Sequence, residues 1–260
     1  MEIFVLLKQV PATESLIGIA DDGISIKTDD IKWVINPYDE YAVEEALQIK
    51  EAHGGSVTIV SVGSEKTVEA IRTALAMGAD KGILINDPDA AGYDGLSIAR
   101  IIAAVLKEVP FDLIIAGQRA VDYDNYQVGV ATAEFLDIPN ISLVIKQEIS
   151  GSTIRCHRTI EGGTVILEAP LPALFTTQRG LNEPRYASLP GIMKAKKKPI
   201  DIKTIADIGL DAAGVGGSMT RIVAMKPPSE RKGGTIITGD SAQAKAAELV
   251  RVLHEEAKVL

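Results

Sequence analysis

The sequence predicts an α/β fold built on a doubly wound, mostly parallel sheet. Short apolar, often β-branched runs recur at residues 3–7, 31–35, 57–62, 82–85 and 113–116, with stretches of helical spacing between them. These runs are apolar throughout, which is typical of parallel strands covered by helices on both faces. A chain of 260 residues with 46% hydrophobic side chains is also long enough to bury such a core.

Amphipathic spacing predicts helices over residues 39–50, 65–77, 94–107 and 125–136. In the first of these helices the alanine, valine and leucine side chains share one face. Glu40, Glu44 and Glu45 are therefore expected to lie largely on the opposite, solvent-facing side.

The second half of the chain changes character. Residues 153–159 and 164–168 flank a Gly-Gly turn and predict a β-hairpin, and residues 173–177 predict one more strand. Residues 1–190 are therefore interpreted as one domain. Within residues 191–260 the sequence predicts an irregular Gly- and Pro-rich arm, followed by a helix from 241 to about 258. An arm that ends in an amphipathic helix suggests an obligate partner.

Composition excludes several classes of function. The chain carries 27 Lys and Arg against 35 Asp and Glu, a net charge of −8, which argues against nucleic-acid binding. Cys156 is the only cysteine, so no intrachain disulfide is expected. The three histidines show no metal-ligand spacing, and there is no P-loop. Residues 214–219 begin like a dinucleotide fingerprint but lack its last glycine. No reacting centre of an enzyme is visible.

Neither a signal peptide nor a stretch long enough to cross a bilayer is apparent, and the N-terminal apolar run fits a buried first strand. We therefore expect a cytosolic protein, or one in another reducing compartment, without direct membrane insertion.

Polar residues at the ends of the predicted strands indicate a ligand site, because open α/β sheets bind ligands there. Gly117 permits close approach of the backbone, and the helix that follows offers free N–H groups suited to a phosphate. Asp122, Asp124 and Asn125 can cap that helix or bond to ribose hydroxyls. An ordinary capped loop explains the same spacing equally well.

Two further strand ends point to the same edge of the sheet. Val62 closes the run at 57–62, and Asn36 or Asp39 is expected to cap the helix at 39–50, with Pro37 holding that corner rigid. Three loops that converge on one edge favour a nucleotide pocket.

A cationic cluster follows the predicted domain. Lys194, Lys196, Lys197 and Lys198 stand close to three apolar residues, Leu189, Ile192 and Met193. Most lysine runs are solvated surface, yet apolar side chains ringed by cations also suit docking onto an acidic protein partner.

Several long motifs resemble the β (small) subunit of electron transfer flavoproteins across essentially the whole chain. The similar stretches are residues 8–11, 36–46, 72–80, 117–129 and 182–199. The resemblance implies a Rossmann-like fold of the adenine-nucleotide-binding type, in a heterodimer with an α subunit that holds most of one FAD. It further implies electron transfer from acyl-CoA dehydrogenases and related flavoproteins to a membrane quinone oxidoreductase, without a substrate-transforming site in this subunit. A eukaryotic member would reside in the mitochondrial matrix, although no transit peptide is seen.

The resemblance also assigns roles to individual residues. An AMP site is implied at the following positions: Leu6, Asn36, Pro37, Tyr38, Asp39, Val62, Gly117, Gln118, Arg119, Ala120, Val121, Asp122, Tyr123, Asp124, Asn125, Tyr126, Gln127 and Val128. Tyr38 and Thr13 are implied to approach the partner's flavin. Leu189 is implied as the anchor that enters a pocket on the dehydrogenase, and residues 191–260 as the arm and helix that pack on the α subunit.

One departure from a family pattern bears on the cofactor. Members that bifurcate electrons and hold a second FAD typically carry a small Gly-Asp-Thr-Ala run where this chain has Tyr123 to Tyr126. The two rings leave less room for a second isoalloxazine, so AMP and a non-bifurcating carrier are expected. The alternatives are a bifurcating subunit with two FAD and a stand-alone nucleotide-binding protein of the universal-stress type. An ATP-dependent ligase or pyrophosphatase is less favoured, because no pyrophosphate loop follows the first strand.

Overall fold

A computed structural model describes residues 1–229 and 233–259. The strands are β1 (Glu2–Leu6), β2 (Gln9–Pro11), β3 (Trp33–Ile35), β4 (Ser56–Gly63), β5 (Lys81–Asn86), β6 (Leu113–Gly117), β7 (Asn140–Ser150), β8 (Thr153–Ile160), β9 (Gly163–Pro170), β10 (Ala173–Thr177) and β11 (Ile200–Lys203). The helices are α1 (Pro37–His53), α2 (Val68–Met77), α3 (Gly95–Lys107), α4 (Val128–Leu136), α5 (Leu189–Ala195), α6 (Ala212–Val215) and α7 (Ala242–Arg251).

Nine strands form one sheet in the order β11-β5-β4-β1-β6-β10-β7-β8-β9. All neighbours from β11 to β7 are parallel, and β7, β8 and β9 are antiparallel to one another. The parallel part confirms the predicted α/β fold class. Strands β8 and β9 meet through the Gly-containing turn that the hairpin pattern indicated.

Helices cover both faces of the parallel part. On one face, apolar residues of α1 and α2 pack with side chains such as Ile3, Val5 and Phe175 from the sheet. On the other face, α3 and α4 pack against the alternate residues, including Phe4 and Ile114. Residues next to each other on a strand thus enter opposite cores, which is why the strand sequences are apolar without interruption.

Three strand assignments differ from the sequence pattern. No predicted element covers Asn140–Ser150, which pairs parallel with β10 and antiparallel with β8. The run at 31–35 is not part of the main sheet, because Trp33–Ile35 pairs antiparallel with Gln9–Pro11 in a separate two-stranded ribbon. Ile200–Lys203, inside the stretch expected to be irregular, instead adds a parallel edge strand beside β5. Four residues with two charges carry too weak a pattern to reveal a strand, so only the pairing with β5 defines it.

The expected solvent-facing side of α1 is wrong for two of its three glutamates. Glu44 and Glu45 are 3% and 4% exposed. Their carboxylates are covered by polar side chains from later in the chain, including Arg185 and Asn182. The sequence pattern predicts a solvent-facing side for such a helix, because the residues that cover its charged side chains lie far away in the sequence.

The chain divides into two compact units, of which the first is Met1–Val223 and the second begins at Ala224. The second unit contains α7, which Ser241 caps, followed by a π-helical turn at Val252–Glu256. Residues 230–232 of the expected arm, and residue 260, lie outside the described residues. Among the described helices, none combines the length and apolar character that crossing a membrane requires.

Candidate functional site

Strand register brings the predicted loops together at the carboxyl edge of the sheet. Leu6 pairs with Val60 on one side and with Ala116 on the other, and Thr177 pairs with Gly117. The segments that follow β1, β4 and β6 therefore leave the sheet side by side, and the start of α1 closes over them.

Asp39 holds three of these segments in one corner. Its Oδ2 accepts a hydrogen bond from the backbone N–H of Lys8 at 2.7 Å, and its Oδ1 accepts one from the N–H of Gly117 at 3.1 Å. The side chain is 5% exposed, and burial raises its pKa to about 7, partly opposed by these hydrogen bonds. Asp39 therefore joins the ends of β1 and β6 to α1.

Asn36 ties the same corner to the loop after β6. Its Nδ2 donates to the carbonyl of Arg119 at 2.8 Å, and its Oδ1 accepts from the N–H of Val121 at 3.1 Å. The expectation that Asn36 or Asp39 caps α1 is wrong, because the cap position makes no side-chain hydrogen bond to the helix. Pro37 at the first turn fixes φ there instead.

Gly117 is required by the protein itself at this corner. A Cβ at this position would lie 2.2 Å from Oδ1 of Asp39 and 2.9 Å from the carbonyl carbon of Tyr38. The close backbone approach that the glycine allows is therefore that of α1, rather than that of a ligand.

Arg119 stacks between two aromatic rings. Its guanidinium lies 5.0 Å from the ring centroid of Tyr38 and 5.4 Å from that of Tyr126. It donates to the Tyr38 hydroxyl at 2.9 Å and pairs with Asp124 at 2.8 Å. These contacts hold a turn in which Asp124 and Tyr126 both adopt positive φ values. The loop is therefore fixed by one cation and its neighbours.

Lys8 makes the second cationic contact with this loop, and the sequence analysis did not single it out as a site residue. Its Nζ lies 2.6 Å from Asp122 and 4.4 Å from the ring centroid of Tyr123. The signal was its position directly after the first strand, at the edge where the other site residues converge.

Within the part of the chain that the structure describes, no side chain accepts a hydrogen bond from the backbone N–H groups at the start of α4. The helix begins at Val128, later than the expected 125, and neither its cap residue Gln127 nor any acidic residue of its first turn occupies those N–H groups. The expectation that Asp122, Asp124 or Asn125 caps it is therefore wrong: the first two pair with cations, and Asn125 accepts a long bond from the N–H of Gln127. A helix start without a side-chain cap fits a phosphate group.

The remaining predicted residues differ in how accessible they are. Gln118 is buried and donates to Gln178 at 2.9 Å. Leu6 is buried in the core, whereas Val62 and Ala120 are partly exposed beside the corner. Thr13 is exposed in the turn after β2, and within the described residues no hydrogen bond links its side chain to the corner.

The apolar residues of the second predicted surface all lie on α5. Leu189 is 80% exposed and Met193 72%, with Ile192 also exposed beside them. Lys194, Lys196 and Lys197 are exposed at the end of this helix. We call these six residues the docking surface.

Lys198 does not belong to this surface, although the sequence groups it with the other lysines. Its Nζ turns inward and donates to the carbonyls of Leu75 and Ala79, the latter just beyond the end of α2. Burial lowers the pKa of this ammonium group. One lysine of the cluster therefore serves the fold rather than docking.

Polar contacts from α1 and α2 hold the segment before α5 and the end of α5 in place. Arg185 donates to Glu44 through Nε at 2.8 Å and to Glu51 at 2.6 Å. Arg72 donates to the carbonyls of Ala195 and Lys198, both at 2.6 Å. The exposed helix α5 is thereby fixed to α1 and α2.

Cys156 is fully buried, and burial raises its thiol pKa to about 12, which makes it a poor nucleophile. Among the described residues, no group of three or more His, Cys, Asp or Glu side chains could hold a metal ion.

Comparisons with known proteins place the whole chain close to one family. The sequence profile of the electron transfer flavoprotein domain matches residues 24–208. Electron transfer flavoprotein subunit beta of Bacillus subtilis is 44% identical, with both chains fully covered. The subunits of the same name from Bradyrhizobium diazoefficiens and Homo sapiens are 39% and 37% identical. They cover all of this chain in the first case and 97% of it in the second, and 100% and 99% of their own lengths.

Proposed function

This chain belongs to the electron transfer flavoprotein family, among its β subunits, and from that premise we propose that it is an electron-carrier subunit. It pairs with an α subunit, contributes to the binding of one FAD and holds AMP at the carboxyl edge of its own sheet. The observation that carries the nucleotide assignment is the corner formed by Asn36, Asp39 and Gly117 beside the uncapped start of α4.

The protein's own residues support an AMP site in three ways. The backbone donors at the start of α4 suit a phosphate monoester. Lys8 and Arg119 pair with Asp122 and Asp124 and so hold the same loop in place. The corner is rigid before any ligand arrives, because Asp39 and Asn36 bond to backbone groups at the ends of both β1 and β6. A preformed site loses little conformational entropy on binding.

The flavin lies mainly outside this chain. Bound FAD supplies one- and two-electron redox chemistry, while the protein supplies binding, orientation and electrostatics. From this chain we assign Tyr38 and Thr13 to the surface facing the flavin. Arg119 fixes the Tyr38 hydroxyl by a hydrogen bond at 2.9 Å and so orients the ring.

We assign the chain to the non-bifurcating carriers. Tyr123 and Tyr126 are about half exposed, but each ring is held by a cation, Lys8 or Arg119. Moving either ring aside to admit a second isoalloxazine would break these contacts. For a non-bifurcating carrier we expect one FAD and one AMP per heterodimer.

The docking surface supports transient contact with electron donors. An exposed leucine beside exposed lysines suits an apolar pocket with an acidic rim on a flavoprotein dehydrogenase. Acyl-CoA dehydrogenases are the donors we propose, and a membrane quinone oxidoreductase is the acceptor. The location we propose is the cytoplasm, or the mitochondrial matrix in a eukaryote.

Co-expression with a candidate α subunit tests the whole assignment. The purified heterodimer should be yellow, and acid extraction followed by chromatography should release FAD and AMP in equal amounts. Two FAD without AMP would instead show a bifurcating carrier. A stable, colourless dimer of this chain that holds ATP and ignores every α subunit would contradict the carrier function.

A further inference from the structure

Residues 211–219, part of which begins like a dinucleotide fingerprint, lie against the first turns of α3. The N–H of Met219 donates to Oδ2 of Asp94 at 2.7 Å, and the hydroxyl of Ser97 donates to the carbonyl of Gly217 at 2.9 Å. Val215 is buried in the apolar core on that side of the sheet. This segment is therefore bonded to one end of a single helix.

Asp94 makes two hydrogen bonds with different purposes. Its Oδ1 accepts from the N–H of Ser97 at 2.9 Å and caps α3, while its Oδ2 holds Met219. The backbone hydrogen bond from Ser97 lowers the pKa of this carboxyl, and the bond from Met219 contributes. The group is thus ionised at neutral pH, and both hydrogen bonds are charge-assisted.

The same turn of α3 also contacts the loop of the proposed AMP site. A Cβ on Gly95 would lie 2.9 Å from Oε1 of Gln127 and 3.0 Å from Nδ2 of Asn125. Both side chains therefore rest on the first residue of α3, directly ahead of the uncapped start of α4. The helix start lies between the nucleotide loop on one side and the segment carrying Met219 on the other.

We propose that Asp94 is a positioning residue that couples AMP binding at the loop before α4 to the order of the segment containing Gly217 and Met219. This inference rests on the proposed AMP site. AMP restricts Asn125 and Gln127, these side chains restrict the first turn of α3, and that turn holds the segment through Asp94 and Ser97. Since coupling between two equilibria is reciprocal, release of the segment weakens AMP binding.

Asp94→Asn separates the two roles of the carboxylate. Asparagine caps helices as well as aspartate does, so α3 keeps its cap. Its amide group then faces the N–H of Met219 and cannot accept that bond. The matched control is Asp87→Asn, because Asp87 also caps a helical turn with one oxygen, through Asp89, and accepts from the Tyr93 hydroxyl with the other.

Two measurements on the full-length chain test the coupling. Hydrogen exchange at the amide of Met219 should slow when AMP is added to the wild type, and should run about tenfold faster in Asp94→Asn. Calorimetric titration with AMP should give a Kd about fivefold weaker for Asp94→Asn, at the low end of typical couplings, and unchanged for Asp87→Asn.

Distinct results overturn the inference and the assignment beneath it. An unchanged Kd for Asp94→Asn, or equal weakening by Asp87→Asn, refutes the coupling while the AMP site stands. A wild-type chain that has been stripped of all co-purified nucleotide, and that then gives no calorimetric signal with AMP, refutes the AMP site and with it the coupling. That case is recognisable because Met219 exchange still responds to Asp94→Asn.

Discussion

The corner formed by Asn36, Asp39 and Gly117 and the docking surface differ in where their polar groups lie. In the corner, the buried side chains of Asn36 and Asp39 bond directly to the backbone that would surround a ligand. At the docking surface, the apolar residues, led by Leu189, are exposed, and the buried Glu44 pairs with the half-buried Arg185 in the segment before α5. The corner is organised by internal hydrogen bonds. The docking surface is exposed, and an ion pair fixes the segment that precedes it.

This difference follows from what each region is proposed to do. A nucleotide that stays bound needs a site that costs little to organise, which rigid hydrogen bonds provide. A dehydrogenase that must leave after each transfer needs a small contact with few desolvated charges. Substitutions in the corner should therefore change the free energy of unfolding. Substitutions on the docking surface should change only the rate of electron transfer from the dehydrogenase.

The largest change in the free energy of unfolding is expected for Gly117→Ala. The added methyl group would meet Asp39 and the backbone of Tyr38 at impossible distances, and such overpacking costs about 3 kcal/mol. Urea denaturation measures it, with Gly92→Ala as the control because no atom lies within 4 Å of a Cβ there. Equal stability of the two variants would mean that the backbone and side chains around Gly117 can shift to admit a methyl group.

The next largest change in the free energy of unfolding is expected with pH, through Asp39. Its folded pKa is raised from 3.8 to about 7, so the folded chain binds more protons than the unfolded chain between these values. The contribution of Asp39 to stability is full below pH 4 and is lost as the pH rises through 7. Relative to Asp39→Asn, the wild type should lose about 2 kcal/mol between pH 5 and pH 8. Parallel curves for the two proteins would show that Asp39 does not titrate in this range.

Arg185→Met tests the ion pair with Glu44, which holds the segment before the docking surface. It leaves the Glu44 carboxylate, whose side chain is 4% exposed, without its cation. Breaking such a pair costs about 2 kcal/mol when one partner keeps some contact with water. Arg155→Met, whose partner Glu168 is exposed, should cost close to nothing. Thermal unfolding of the two variants side by side measures the difference, and a similar loss in both would contradict a supporting role for Arg185.

Leu189→Ala is expected to have the smallest effect on stability and a clear effect on electron transfer. The side chain is largely exposed, so the free energy of unfolding should change by less than about 0.5 kcal/mol. Reduction of the heterodimer by a dehydrogenase should slow by about tenfold, as for an interface anchor. Leu16→Ala is the matched control because Leu16 is 99% exposed elsewhere. Unchanged reduction kinetics at normal flavin content would remove Leu189 from the docking surface.

Much of the fold was accessible from sequence because its signals are local. The apolar runs gave β1, β4, β5, β6 and β10, and helical spacing placed α1, α2, α3 and most of α4 within a few residues. The strand at Ile200–Lys203 and the ribbon of Gln9–Pro11 with Trp33–Ile35 were missed or misplaced. Both are short elements whose identity depends on a partner strand rather than on their own pattern.

The candidate site was found in outline but not in its internal chemistry. Strand ends and the Gly117 loop predicted that these segments meet at the carboxyl edge of the sheet, and the strand register brings them together there. The roles of Asn36 and Asp39 were wrong as helix caps, because their hydrogen-bond partners lie up to 85 residues away. Lys8 was missed as a site residue for the same reason.

The sequence by itself determined the alternation of strands and helices, and the family. Tertiary structure alone decided which charged side chains are buried. Both Glu44 and Lys198 were expected to face solvent, yet Glu44 is buried and Lys198 is half-buried, each bonded to groups from distant segments. The physical reason is that burial of a charge is stable only with its partners, and partners are chosen by the fold rather than by neighbouring residues.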